Sequence, residues 1–293
     1  MPFSVYGFPV SRMDARAGYI TLEQSKIHVS NSALEVLKSD GQVATLPVAT
    51  LSTLFIGPGC SISSEAVDLL ASMGTGVVWV RSGSIRFMGH GRPVCTTSRT
   101  AMAHAAKWAD KVEHLKVVRA MYALRFGEEW KEESSNLNVL RGKEGVRVKN
   151  SYTALSKEYK VKWKKRTSSI PHDECDQINK CLNTAHHIMD GVCHSIIEGM
   201  GYIPQLGFIH TDSVIAFTLD ISDLYKTRIA DPVAFRVCAE RQGTEVDVEV
   251  AVRNELRGVL TRDRVYATIA DDLKMLMGGP DEDFSTETNY WNP

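Results

Sequence analysis

The sequence predicts an α+β protein: a small N-terminal β-sandwich-like domain followed by a larger all-α domain. Two textures along the chain predict it. Residues 1–90 hold short β-branched runs split by turn formers, and from about residue 98 apolar residues recur three and four apart. The length, 293 residues, suits one large or two ordinary domains, and an apolar content of 43% is enough to bury a core.

Strands are expected at "AGYITL", "KIHV", "ALEVL", "VATLPV", "STLFIG", "TGVVWV" and "SIRFMG", separated by turns such as "SDG", "GPG" and "RSGS". One helix interrupts them. "SSEAVDLLASMG" has a Ser cap, an early Glu and a closing Gly. Residues 91–97 read as a linker. The helical domain, 98–278, opens with "RTAMAHAAKWADKVEHLKVVRAMYALRF" as one helical run. "VLRGKEGVRVKNSYTALSKEYKVKW" reads as a Gly-broken start followed by a helix. "CDQINKCLNTAHHIMDGVCHSIIEGMG" is a long helix ending at Gly201, and a closing helical stretch runs from about 245 to 277. Residues 279–293, Pro-, acid- and polar-rich, read as a flexible acidic tail.

Composition narrows the function. A net charge of −1 means that no global basic field announces a polyanion partner, so any such site must be local. The six cysteines form no C-x-x-C pair, which argues against a zinc ribbon or a thioredoxin-type motif and suits free thiols in a reducing cytoplasm. The N-terminus has no basic n-region, and no window approaches the ~20 apolar residues of a membrane span, so a cytoplasmic protein is expected.

The chemistry concentrates in two places. "GFIHTDSVIAFTLDISDLYKT", residues 207–227, sets His210, Asp220 and Asp223 in an apolar, β-branched run. If a helix begins near Asp220, both carboxylates lie on one face, close enough to share a cation. The same spacing suits Asp220 as an N-cap and Asp223 as a first-turn acid, and His210 alone suits a hydrogen-bonded core histidine. Asp212 sits in a turn-like "HTDS" and needs no chemistry.

Upstream, "LRGKEGVRV" sets Glu144 between Gly142 and Gly145, which permit close backbone approach and an unusual turn; a capping acid is the plainer reading. Residues 141–166 hold ten Lys or Arg against two Glu, a local charge of +8. That is a polyanion footprint, with Tyr152, Tyr159 and Trp163 interleaved as bases or sugars would require, although a solvated Lys-rich face looks the same. Glu144, His210, Asp220 and Asp223 together form an O,O,O,N set that suits Mg²⁺ or Mn²⁺. Beside a basic groove such an ion would act on a phosphodiester.

"LKVVRAMYALRFGEE" (115–129), "LRGKEGVRVKNSYTALSKEYKVKW" (140–163) and "GYIPQLGFIHTDSVIAFTLDISDLYKT" (201–227) resemble the CRISPR-associated adaptation endonuclease, the integrase that inserts new spacers, and most closely its type I-E form. The resemblance implies a catalytic α domain and a dimerising, DNA-contacting β domain. It places the metal ligands on Glu144, His210 and Asp223, with Asp220 as a further catalytic acid. It implies that a prespacer 3′-hydroxyl attacks a phosphodiester at the edge of a CRISPR repeat. The partners it implies are double-stranded prespacer DNA with 3′ overhangs, CRISPR repeat DNA, a second copy of the chain and a small ferredoxin-like adaptation protein.

Arg86 matches a basic position of that family. Arg141, Arg147, Lys149, Lys164, Lys165 and Arg166 are the remaining candidate DNA contacts. The sequence departs from the family pattern at Asp212, where a glycine is usual, at Ser213, where a basic residue often follows, and at Ser61 and Asp68, where arginines are common. A transposon-borne integrase of the same superfamily and a non-catalytic DNA-binding scaffold are the alternatives.

Overall fold

The computed structural model describes residues 18–80, 87–91, 98–127, 137–167, 175–242 and 247–277. Arg86, residues 92–97 of the expected linker and the expected tail lie outside these described residues.

The α+β expectation holds. Eight strands form two four-stranded sheets among the described residues: β1 (Tyr19–Leu22), β5 (Thr53–Ile56), β7 (Gly76–Val80) and β8 (Phe87–His90) in one, and β4 (Val43–Leu46), β3 (Ala33–Lys38), β2 (Ser25–Ser30) and β6 (Ser61–Ile62) in the other. β1, β5 and β7 are parallel, with Tyr19 beside Thr53 and Ile56 beside Trp79. Parallel neighbours need crossovers rather than tight turns. The antiparallel ribbon β2–β3–β4 carries the chain from β1 to β5, and α1 (Ser64–Ser72) carries it from β5 to β7. α1 starts as its sequence predicts: Ser63 Oγ accepts from Ala66 N at 3.2 Å.

The first sheet is buried on both faces, and its alternation shows how. Leu54, Ile56 and Val77 enter a core shared with the second sheet and α1. The intervening Phe55, Val78 and Val80 enter the core of the helical part. The helix that covers this face is α5 (Gln177–Gly199), which approaches very closely. A Cβ on Gly191 would lie 2.4 Å from the Phe55 ring, so glycine is required there. Thr53 Oγ1 donates to Ser195 Oγ at 3.0 Å across the same seam. The β and α parts therefore share a packed core across this seam.

The helical part refines the expectations at several points. The run 99–126 is two helices, α2 (Arg99–Ala109) and α3 (Lys111–Phe126), because Asp110 is extended and caps α3 through Val112 N at 2.8 Å and Glu113 N at 2.9 Å. α4 (Leu137–Glu158) runs straight through Gly142 and Gly145, so there is no break and no unusual turn at Glu144. Two helical glycines cost about 2 kcal/mol against alanine, which tertiary packing offsets. α6 (Ala216–Tyr225) begins one turn before Asp220, so Asp220 is interior to the helix and not its cap. A single π-helical turn (Lys226–Ala230) joins it to α7 (Asp231–Glu240), a helix not anticipated. The closing stretch is α8 (Val248–Arg262) and α9 (Val265–Met277), parted at Arg264, whose φ is +50°.

Candidate active site

Four elements converge on a small pocket lined by Tyr122 and Arg125 of α3, Glu144 of α4, His210 of the loop before α6, and Asp220 and Asp223 of α6. α3 and α6 each contribute residues one turn apart, which is why those side chains face one way. The structure thus brings together all four residues singled out for chemistry, but it gives them different tasks.

Asp220 is 1% exposed and spends its carboxylate on the loop. Its Oδ2 accepts from Phe208 N at 2.6 Å and Ile209 N at 3.0 Å, and its Oδ1 from His210 N at 2.8 Å. The same Oδ1 accepts from His210 Nδ1 at 2.7 Å. A carboxylate whose two oxygens take these four donors is committed to holding the loop and the imidazole, which is a supporting place beside the other three residues. It fixes the imidazole so that Nε2 is the free ring nitrogen, the arrangement typical of a ligating histidine. The hydrogen bond to Asp220 raises the His210 pKa, and burial opposes it.

The carbonyls of the same loop are accounted for as fully as its amides. His104 Nε2 donates to Leu206 O at 2.9 Å, Trp108 Nε1 to Gly207 O at 2.9 Å and His114 Nε2 to Phe208 O at 2.9 Å. Arg141 Nη2 donates to Ile209 O. A half-buried irregular loop needs such partners because no ladder supplies them. His104 also accepts from Ile203 N at 3.1 Å, and burial lowers its pKa to about 4, which keeps the ring neutral for both bonds. His104, Trp108 and His114 were missed in the sequence. Their only signal was a His or Trp on an amphipathic helical pair, which does not name a partner a hundred residues away.

Glu144 and Asp223 face each other across Arg125. Arg125 Nη1 pairs with Glu144 Oε1 and lies 3.8 Å from Asp223 Oδ2. Tyr122 Oη donates to Glu144 Oε2 at 3.0 Å. Lys226 Nζ pairs with Asp223 Oδ1 at 2.9 Å and with Asp190 Oδ1 of α5 at 2.8 Å. Burial would push the Asp223 carboxyl up, but Lys226 and then Arg125 outweigh it and hold the pKa at about 2. Lys226 is likewise disfavoured by burial yet held charged by Asp190 and Asp223.

Among the described residues no three His, Cys, Asp or Glu side chains stand as a ready ligand set. The chemistry of the donors nonetheless fits a divalent ion. Two carboxylates and a free imidazole nitrogen line one pocket, the imidazole is backed by a carboxylate, and the carboxylates already share one cation, the Arg125 guanidinium.

The basic segment sorts into two groups. Lys149, Lys164 and Lys165 are exposed. Arg141 is bonded to Ile209 O as above, and Arg147 donates to Phe126 O at 3.0 Å at the end of α3. Arg166 reaches Asn183 Oδ1 at 2.5 Å and Asn179 Oδ1 at 3.3 Å on α5. Each of these three arginines makes a hydrogen bond to the fold, and Arg141 and Arg147 are exposed as well. The interleaved aromatics pack against the fold, which corrects their reading as base or sugar contacts: Tyr152 is buried and stacks on Trp163 at 5.0 Å, and Trp163 and Tyr159 pack on the core. Asp212 is exposed, as its turn predicts, and Ser213 Oγ accepts from Ile215 N at 3.2 Å.

Comparison with known proteins places the chain among relatives of one family. The family model described as CRISPR associated protein Cas1 matches residues 18–128 and 98–270. The chain is 35% identical over 273 residues to a CRISPR-associated endonuclease Cas1 of Clostridium sp. (strain SY8519), covering 93% of this chain and 90% of that one. The crystal structure of TtCas1 superposes with a TM-score of 0.80 at 35% identity, covering 91% of this chain and 99% of that one. A TtCas1–DNA complex superposes at 0.68 and 35% identity, covering 93% and 100%.

Proposed function

Because the chain belongs to the Cas1 family of CRISPR-associated proteins, we propose that it is a divalent-metal-dependent DNA endonuclease and integrase, which joins a prespacer 3′-hydroxyl to a phosphodiester at a CRISPR repeat. The observation that carries this reading is the bond from His210 Nδ1 to Asp220, which leaves Nε2 free in a pocket it shares with Glu144 and Asp223. Its relatives' endonuclease names and the DNA bound to TtCas1 support the substrate class.

Glu144, Asp223 and His210 Nε2 would hold Mg²⁺ or Mn²⁺, which when bound polarises a phosphoryl group and lowers the pKa of an attacking hydroxyl. The chain's own residues supply the rest. Asp220 orients the imidazole. Lys226 keeps Asp223 ionised and fixes its rotamer from one side. Lys149, Lys164 and Lys165 present exposed charge to flanking phosphates, which positions DNA without reading its sequence.

The same reading proposes a type I-E-like system, a homodimer, a small ferredoxin-like partner and work in the cytoplasm. No helix of the described residues is long and apolar enough to cross a membrane.

The test is cleavage of a labelled branched duplex in Mn²⁺, Mg²⁺ or EDTA. Cutting in either ion and none in EDTA supports the reading. Binding without cutting under every ion would favour the scaffold alternative.

A further inference from the structure

Resting on the metal-dependent reading, we propose that the Arg125 guanidinium is a built-in stand-in cation: it holds Glu144 and Asp223 together in the metal-free chain and leaves as a divalent ion takes its place. Three observations carry this. First, Arg125 Nη1 is the shared partner of Glu144 Oε1 and Asp223 Oδ2, one oxygen from each acid lining the pocket. A small ion ligated by both oxygens would occupy the volume between them, so ion and guanidinium exclude each other.

Second, the other partners of the two acids lie outside that volume. Lys226 takes Asp223 Oδ1 and is pinned by Asp190. Tyr122 takes Glu144 Oε2 and is a neutral phenol. Both can stay in place when the inner oxygens change partner. Third, the guanidinium is incompletely satisfied where it lies. Arg125 Nε is buried with no hydrogen-bond partner, and the side chain is only 7% exposed. A buried donor left unpaired costs stability, which the two carboxylates and the Phe126 ring, 4.9 Å from the guanidinium, offset. An ion of charge +2 with direct oxygen ligation suits the two carboxylates better than a delocalised +1.

Arg125 would then serve two ends. It keeps the acids charge-compensated and pre-positioned before an ion arrives. It also makes ion affinity depend on the cost of moving a side chain, which sets the site's occupancy below what bare ligands would give.

The experiment is thermal unfolding of the full chain in EDTA and in saturating Mn²⁺, for the unaltered protein, Arg125→Gln, Arg125→Lys and His210→Ala. In EDTA, Arg125→Gln should melt several degrees below the unaltered protein, and Arg125→Lys should fall between them. Saturating Mn²⁺ should erase both deficits, because the ion replaces what the guanidinium supplied, while His210→Ala should gain little from Mn²⁺.

A deficit that persists undiminished in Mn²⁺ would show that Arg125 stays in the ion-bound site as ordinary structure, and would overturn the inference. So would an Arg125→Gln melting point equal to that of the unaltered protein in EDTA. If Arg125→Gln does not fold without ion, Arg125→Lys carries the same comparison. If Mn²⁺ shifts none of the four proteins, the metal-dependent reading itself fails and the stand-in fails with it.

Discussion

Asp220 Oδ1 receives both the backbone N–H of His210, at 2.8 Å, and its ring Nδ1, at 2.7 Å, so one buried oxygen fixes where the histidine is and how its ring is turned. Asp220→Asn would swap an acceptor oxygen for an amide donor among four donors. Hydrogen bonds to charged groups contribute roughly 1.5–3 kcal/mol each, so a loss of about 3 kcal/mol in urea unfolding is expected, together with a large loss of strand transfer. Glu144→Gln should remove activity too, and in the absence of ion it should lower stability as well, because it leaves the buried Arg125 guanidinium without its nearer carboxylate. Equal unfolding midpoints for Asp220→Asn and the unaltered protein would refute the positioning role.

Gly207 begins the loop that Asp220 holds. A Cβ there would lie 2.2 Å from His210 O and 2.7 Å from Ala216 Cβ, and neither can move without shifting the loop or α6. Gly207→Ala should destabilise by roughly 2 kcal/mol and lower Mn²⁺ affinity, because the carbonyl it strikes belongs to the proposed ligand. Calorimetric Mn²⁺ titration alongside urea unfolding checks both.

Acid should weaken the fold through His104. Its folded pKa is lowered to about 4 by burial, against about 6.5 unfolded. Above pH 6.5 both states are neutral and the stability is intact. Between pH 6.5 and 4 the unfolded chain takes up the proton first, so stability falls through that window, by up to about 3 kcal/mol. His187, also lowered to about 4 by burial, adds to the same trend. His210, raised by Asp220, opposes it. Urea midpoints at pH 7.5 and 5 should differ accordingly, and His104→Gln should start lower and lose less.

Much of this was legible in the sequence because the signals were local. β-branched runs, the Ser63 cap and Gly201 after α5 each depend on neighbours within a few residues, and they placed strands and helices well. The same locality explains the misses. Asp110 breaks a continuous apolar period with one side chain, and α4 ignores two glycines because its packing face does not include them. Among the candidate site residues, Glu144, His210 and Asp223 were singled out through pattern and resemblance, and they line one pocket. The contacts that shape the site, Asp220 to 208–210 and His104, Trp108 and His114 to 206–208, join segments 10 to about 100 residues apart, which no periodicity encodes.

The sorting of the basic segment is testable by salt dependence. Lys164→Ala with Lys165→Ala should leave stability nearly unchanged and reduce the slope of log affinity against log salt for duplex DNA by about 2, as two lost phosphate contacts require. Arg166→Ala should instead lower the unfolding midpoint, since it abandons Asn179 and Asn183 of α5. A steeper loss of DNA slope from Arg166→Ala than from the lysine pair would reverse the assignment.

The most direct measurement is strand transfer: a labelled prespacer with 3′ overhangs, a supercoiled plasmid carrying the repeat, and the protein with its small partner, in Mn²⁺, Mg²⁺ or EDTA. Joined product is expected in at least one ion and none in EDTA. Folded Glu144→Gln and His210→Ala proteins should give none under any condition. Joining that survives in EDTA, or in either variant, would contradict a metal-dependent site built on Glu144, His210 and Asp223.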